Sequence, residues 1–161
     1  MKKTLTFLIL VLFQMTTYGQ NWQLVWEDNF DGSNLDLNKW EQEYGTGAQY
    51  GMWGWGNGEL QHYQSQNTTL SNGIAKIEVK EEPQGITESF WNQTSYYSSS
   101  KITTKGKFDF RYGKVEARIK SIDGQGFWPA FWMLPTNGSW PCDGEILSLI
   151  HISEPTRRSA I

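Results

Sequence analysis

The feature that most constrains this chain is a hydrophobic period of two. Phe108, Phe110 and Tyr112 alternate with Lys107, Asp109 and Arg111, and Val115, Ala117 and Ile119 alternate with Glu116, Arg118 and Lys120. Ala75-Lys-Ile-Glu-Val-Lys80 repeats the pattern. A period of two sends successive side chains to opposite faces, which predicts half-buried antiparallel strands. Turn signals divide the runs. Leu70-Ser-Asn-Gly-Ile74 places an Asn-Gly pair between two β-prone stretches, a hairpin signal. Gly113 marks a bulge or bend, and Gly124 and Gly126 precede the aromatic run Phe127 to Leu134. A helical turn is predicted only within Leu35 to Glu43. The expectation is an all-β domain of two packed antiparallel sheets.

The 161 residues suffice for one domain at most. Residues 1–19 read as a secretory signal peptide. Lys2 and Lys3 form a basic start, Leu5 to Phe13 an apolar run too short to span a bilayer comfortably, and Thr17 and Gly19 the small residues before cleavage at Gln20. A secreted, extracellular or periplasmic product without a membrane anchor is expected. The net charge of −3 leaves no basic footprint for nucleic acid. Cys142 is the single cysteine, so no internal disulfide forms, and no His/Cys cluster indicates zinc or iron. Aromatic residues make up 15% of the chain, a density suited to a β core or to a surface that stacks on sugar rings.

Two segments carry the chemistry. Gly124-Gln-Gly-Phe-Trp-Pro-Ala-Phe-Trp-Met-Leu-Pro135 is followed by Trp140-Pro-Cys-Asp-Gly-Glu-Ile146. Together they resemble glycoside hydrolase family 16, in particular its laminarinase-like (endo-β-1,3-glucanase) branch. Further segments agree in order: Leu24 to Gly32 with Leu35-Asp36 and Lys39-Trp40, Trp55-Gly-Asn-Gly-Glu-Leu-Gln61 with Tyr63, and Tyr112 to Lys120. The resemblance implies a concanavalin-like jelly-roll β-sandwich, of which residues 20–146 would form roughly the first half. It also implies a secreted endo-acting hydrolase of β-1,3- or mixed-linkage β-glucan. Agarase- or carrageenase-type hydrolysis on the same scaffold, and a lectin-like jelly roll that binds glucan without cutting it, are the alternatives.

Retaining glycoside hydrolysis uses two carboxyl groups about 5–5.5 Å apart, one as nucleophile and one as acid/base. By the resemblance, Glu145 is the nucleophile. An Asp is expected at 147 and the acid/base Glu near 150, where Leu147 and Ile150 stand. Leu147 to Arg157, LSLIHISEPTR, resembles the in-frame translation of a sequencing adapter. Residues 147–161 are therefore expected to be a non-native tail, and His151 and Glu154 are given no chemical role.

Substrate-binding candidates follow. Trp53 and Trp55 lie in a loop rich in glycine (Gly51, Gly54, Gly56, Gly58), which cannot be a core strand, so both are expected as exposed sugar platforms. Asn57 could bond sugar hydroxyls, and Glu59 either does the same or pairs with a nearby cation. Trp128 and Trp132 share one face of their strand. The resemblance puts Trp132 in the cleft, while Trp128 is core or cleft. Trp140 opens the catalytic segment. Arg118 is either solvated or a cleft donor. No cofactor is expected to be required. The resemblance allows one structural calcium, for which Glu27, Asp28 and Asp31 offer oxygen ligands.

Overall fold

The computed structural model describes residues 21–89, 92–122 and 124–149. The signal-peptide segment and the tail beyond Leu149 lie outside the described residues. Within them the chain is all-β, with nine strands and three short 3₁₀ turns. Strand β1 (Glu41–Glu43) pairs antiparallel with β7 (Lys101–Thr103). Strand β2 (Gln61–Tyr63) lies beside β6 (Gln93–Ser99), which pairs on its other side with β5 (Lys80–Glu88). Strands β3 (Thr68–Ser71) and β4 (Ile74–Ile77) form a hairpin, and β8 (Phe131–Met133) pairs with β9 (Ile146–Leu149). No helix among the described residues is long and apolar enough to cross a membrane.

The β3–β4 hairpin forms as its sequence predicts. Asn72 and Gly73 both take positive φ, 52° and 70°, the left-handed pair of a type I′ turn. Ser71 thereby lies opposite Ile74. The strand that follows stops earlier than the alternation suggests. β4 ends at Ile77, and the Glu78 N–H turns to donate to the Asn67 carbonyl (2.9 Å) before β5 begins at Lys80. The predicted helical turn is present as a single turn, in which Asp36 O accepts from the N–H groups of Lys39 and Trp40 (3.0 and 2.9 Å). The 3₁₀ turns at Ala48–Tyr50, Trp53–Gly56 and Ser65–Asn67 were not anticipated.

Three departures from the sequence expectation concern the sheets. The β2–β6 pair is parallel rather than antiparallel, with Gln61 opposite Tyr97 and Tyr63 opposite Ser99. The β5–β6 register shifts between Glu81 and Ile86, across Pro83, which has no N–H to give the ladder. The alternating runs at Lys107–Tyr112 and Val115–Lys120 form no strand, and Phe110, Tyr112 and Ile119 stay exposed. Alternation gives a strand only when a neighbouring backbone completes the ladder, and no described residue does so there. Strand β9 uses Leu147–Leu149, the start of the segment expected to be foreign.

The interior around β2 and β6 is polar. His62, Asn67, Thr46 and Ser98 are each at most 2% exposed, whereas Ala48 and Trp55 are the buried apolar residues among those described. Hydrogen bonds compensate the burial. Asn67 Nδ2 donates to Glu78 O and to Ser98 Oγ (3.0 Å each), and Ser98 Oγ donates to a Glu82 carboxylate oxygen (2.6 Å). Thr46 Oγ1 donates to Glu88 Oε2. A second cluster, aromatic, ties the N-terminal segment down. Trp26 meets Trp40 edge-on at 5.3 Å and stacks with Phe108 at 5.8 Å, while Phe30 stacks on Trp40 at 5.9 Å.

Candidate active site

The loop between β1 and β2 is closed at its base. Gly45 and Tyr63 exchange two backbone hydrogen bonds, each 3.0 Å. Inside it the Trp55 N–H donates to Thr46 O (3.0 Å) and its indole Nε1–H to Gly45 O (3.2 Å). Gly47 permits this fold-back. Its φ is +86°, and a Cβ there would sit 2.4 Å from the Met52 carbonyl oxygen.

The two loop tryptophans therefore separate. Trp53 is 40% exposed, as a sugar platform requires, but Trp55 is only 9% exposed, a correction to the expectation for that residue. A glycine-rich loop need not hold its aromatics outward, because each left-handed glycine can turn the chain back over them. Trp55 packs between Tyr50 and Tyr63, with ring centroids 5.7 Å away in each case.

Glu59 is held by protein rather than left free. Tyr63 Oη and Gln61 Nε2 donate to its Oε2 (2.6 and 2.8 Å), and Asn57 Nδ2 donates to its Oε1 (3.3 Å). Burial, and then the Glu59 carboxylate beside it, push the Tyr63 phenol well above the usual tyrosine range, so it stays a neutral donor. Asn57 itself is exposed.

Lys101, at the start of β7, was not singled out from sequence. Its Nζ lies 3.8 Å from the Trp55 ring centroid, 5.3 Å from that of Trp132 and 5.9 Å from that of Tyr63. Desolvation lowers its pKa, against the opposing pull of Glu43 and Glu59 and with a small addition from Lys105. A lysine in a strand is ordinarily solvated, and no sequence signal distinguishes this one.

Trp132 lies on β8 opposite Leu147 of β9 and is 36% exposed. Glu145 is exposed and stands immediately before β9. Its Oε2 accepts from the Trp140 indole N–H (3.2 Å), and Trp140 is itself 66% exposed. Asp143 is engaged in the preceding turn, where its Oδ2 accepts from the Ser139 N–H (2.6 Å). Trp128 is 48% exposed, which favours the cleft or solvent side over the core. Arg118 is exposed on the segment without strands.

The N-terminal segment gathers three acidic residues. Glu27, Asp28 and Asp31 line a hollow of about 290 Å³. Asp28 directs both oxygens to protein donors, Oδ1 to the Phe30 N–H (2.8 Å) and Oδ2 to the Trp40 indole (2.7 Å). Lys39 Nζ donates to the Glu27 carbonyl (2.8 Å). No three acidic, His or Cys side chains gather as metal ligands among the described residues.

Among the described residues Trp132 on β8 lies partly exposed beside β9, and the Glu145 carboxylate stands immediately before that strand; a partly exposed indole face is suited to stacking on a flat ring such as a sugar. Residues 52–146 match the profile of glycosyl hydrolases family 16, and the chain belongs to that family. It is similar to glucan endo-1,3-beta-glucosidase A1 of Niallia circulans, 41% identical over 76% of this chain and 19% of that protein. It is 36% identical to the beta-glucanase of Rhodothermus marinus over 94% of this chain and 54% of that protein. Among solved structures, the catalytic domain of an endo-1,3-beta-glucanase (laminarinase) from Thermotoga petrophila RKU-1 superposes with a TM-score of 0.74. The two are 42% identical, over 80% of this chain and 51% of that one. The chain thus spans about half the length, or less, of these relatives. Its all-β fold is the jelly roll that they share.

Proposed function

We propose that the protein is an endo-acting β-glucan hydrolase, cleaving β-1,3- or mixed-linkage glucan with retention. The observation that carries this reading is the placement of Glu145. It is an accessible carboxylate held by the Trp140 indole N–H (3.2 Å), in the segment that follows β8, whose Trp132 is 36% exposed. The likeness to proteins named as endo-β-1,3-glucanases supports the substrate class.

In this mechanism the Glu145 carboxylate attacks the anomeric carbon as the glycosidic C–O bond breaks, and an acid protonates the departing oxygen. Water, deprotonated by the conjugate base of that acid, then displaces Glu145 and restores it. Trp53, Trp128, Trp132 and Trp140 supply stacking faces, Asn57 and Arg118 supply donors, and Glu59 is kept in place by Tyr63 and Gln61. The Trp140 indole hydrogen bond orients Glu145.

Leu147 and Ile150 stand where the resemblance places the Asp and the acid/base Glu. We take residues from 147 onward as foreign to the native protein and the chain as given as inactive. Export by residues 1–19 belongs to the same proposal. The test is to re-read the gene past codon 146, express the protein with its own catalytic strand, and assay laminarin beside agarose and carrageenan. Laminarin cleavage is expected, with Glu145→Gln lowering kcat by roughly a thousandfold or more. Full activity in Glu145→Gln would overturn the nucleophile assignment. Laminarin binding without cleavage would favour the lectin-like alternative.

A further inference from the structure

Lys101 is a half-buried cation at the meeting point of three elements. Its strand, β7, pairs with β1, Trp55 belongs to the loop between β1 and β2, and Trp132 belongs to β8. The ammonium lies 3.8 Å from one indole centroid and 5.3 Å from the other. Glu43 stands opposite Lys101 in the β1–β7 register, and Glu59 acts on it from the loop, yet among the described residues no carboxylate oxygen comes within 4.0 Å of its nitrogen. The close partners of this charge are aromatic faces. An indole face attracts a cation through its quadrupole, more strongly when water is partly excluded. A neutral side chain of equal length would fill the space but lose that attraction.

We propose that Lys101 is a positioning residue, a cation–π clamp that fixes Trp132 of the catalytic sheet against Trp55 of the cleft loop. The clamp deepens the β-glucan reading and rests on it for its purpose, since holding Trp132 holds a sugar-stacking face in register with Glu145. Its geometry does not depend on that reading. The clamp acts through the two rings, not through substrate.

The clamp has a titration signature. The groups facing the ammonium are Glu43 from β1, Glu59 from the loop, Tyr63 from β2, and Lys105 further along its own chain segment. Tyr63 stays neutral because its pKa is raised. Loss of the Lys101 proton would therefore release both rings together, at a pH below the usual lysine value.

The experiment uses the full chain carrying 5-fluorotryptophan, followed by fluorine NMR. Trp55→Phe and Trp132→Phe assign the two resonances. In Lys101→Met the Trp132 and Trp55 signals are expected to shift while those of the distant Trp26 and Trp40 stay, and Lys101→Arg restores the original positions. If Lys101→Met fails to fold, a pH titration of the unsubstituted chain decides. Trp55 and Trp132 then move with one shared midpoint below that of ordinary lysines. Separate midpoints, or a Trp132 signal indifferent to both substitution and pH, overturn the clamp. A laminari-oligosaccharide titration separates the two readings. With the clamp in place, Lys101→Met weakens binding about three- to tenfold and Lys101→Arg does not. Rings that respond to Lys101 but never to the oligosaccharide support the clamp and count against the glucan reading.

Discussion

Residues 41–103 and residues 105–148 differ in a way their sequences do not announce. Both carry β-type alternation and β-prone residues. The first stretch forms β1–β7 and holds every buried residue among those described. The second forms β8 and β9, and no described residue of it is buried. In the first stretch, turns bring partners together over short distances, as at Asn72-Gly73, and the paired backbone then covers its side chains. In the second, the side chains of Lys107–Tyr112 and Val115–Lys120 have the right period, but no described backbone pairs with them. A strand is thus a property of two segments, and alternation describes what one of them could become.

The sharpest way to test this contrast is to remove a tryptophan from each environment. Trp55→Ala deletes a buried ring that packs on Tyr50, Tyr63 and Lys101, and is expected to lower stability by about 3–5 kcal/mol. Trp53→Ala, two residues earlier and 40% exposed, is expected to lower it by less than about 1 kcal/mol. Urea unfolding of both variants measures the gap, and equal losses would mean that the loop does not bury Trp55 in solution.

The polar interior gives the next effect. Asn67 is 1% exposed and donates to Glu78 O and Ser98 Oγ, so Asn67→Ala leaves two buried acceptors short of a partner. A loss of about 1–3 kcal/mol follows. Asn67→Ser, which keeps a donor in the pocket, should recover part of it. A neutral outcome for Asn67→Ala in thermal unfolding would mean that water reaches the β2–β6 interior.

His62 makes the same interior sensitive to acid. It is 2% exposed, its ring meets Tyr44 edge-on at 4.8 Å, and its Nδ1 has no hydrogen-bond partner among the described residues. Burial holds its pKa below the usual 6.5, and the charges of Glu88 and Glu82 only partly offset this. In the window between the folded value and 6.5, the unfolded chain binds a proton that the folded chain does not. The stability associated with neutral His62 is therefore complete above pH 6.5 and declines as the pH falls below it. In His62→Phe the Tm should be flatter across that range, and an unchanged Tm profile would remove His62 as the cause.

What could be read from sequence follows the same division. The Asn72-Gly73 hairpin was legible because a type I′ turn is set by two adjacent residues. Glu145 was singled out by the motif around it, and the structure places it exposed and immediately before β9. The burial of Trp55 was not, because it depends on Gly45 and Thr46, ten and nine residues away, accepting its N–H groups. Lys101 was not, because its partners come from a loop and a strand separated from it by tens of residues. Lys107–Tyr112 and Val115–Lys120 were over-read, since alternation was present and the partner backbone was not.

The smallest expected effect is the one that isolates this last point. Tyr112 lies at the end of the first alternating run and is 85% exposed. Tyr112→Ser should change stability by no more than about 0.5 kcal/mol, because the ring has little contact to lose. The same substitution in the protein carrying its own sequence from residue 147 onward tests why. If a second layer is what the alternation awaits, Tyr112 becomes covered there, and the substitution then costs about 1–3 kcal/mol for the aromatic surface returned to water. A neutral result in both versions would place Tyr112 on the solvent face of its run. The apolar side would then be that of the alternating partners Asp109 and Arg111, which no hydrophobic layer accepts, so the strand reading of Lys107–Tyr112 would fail with it.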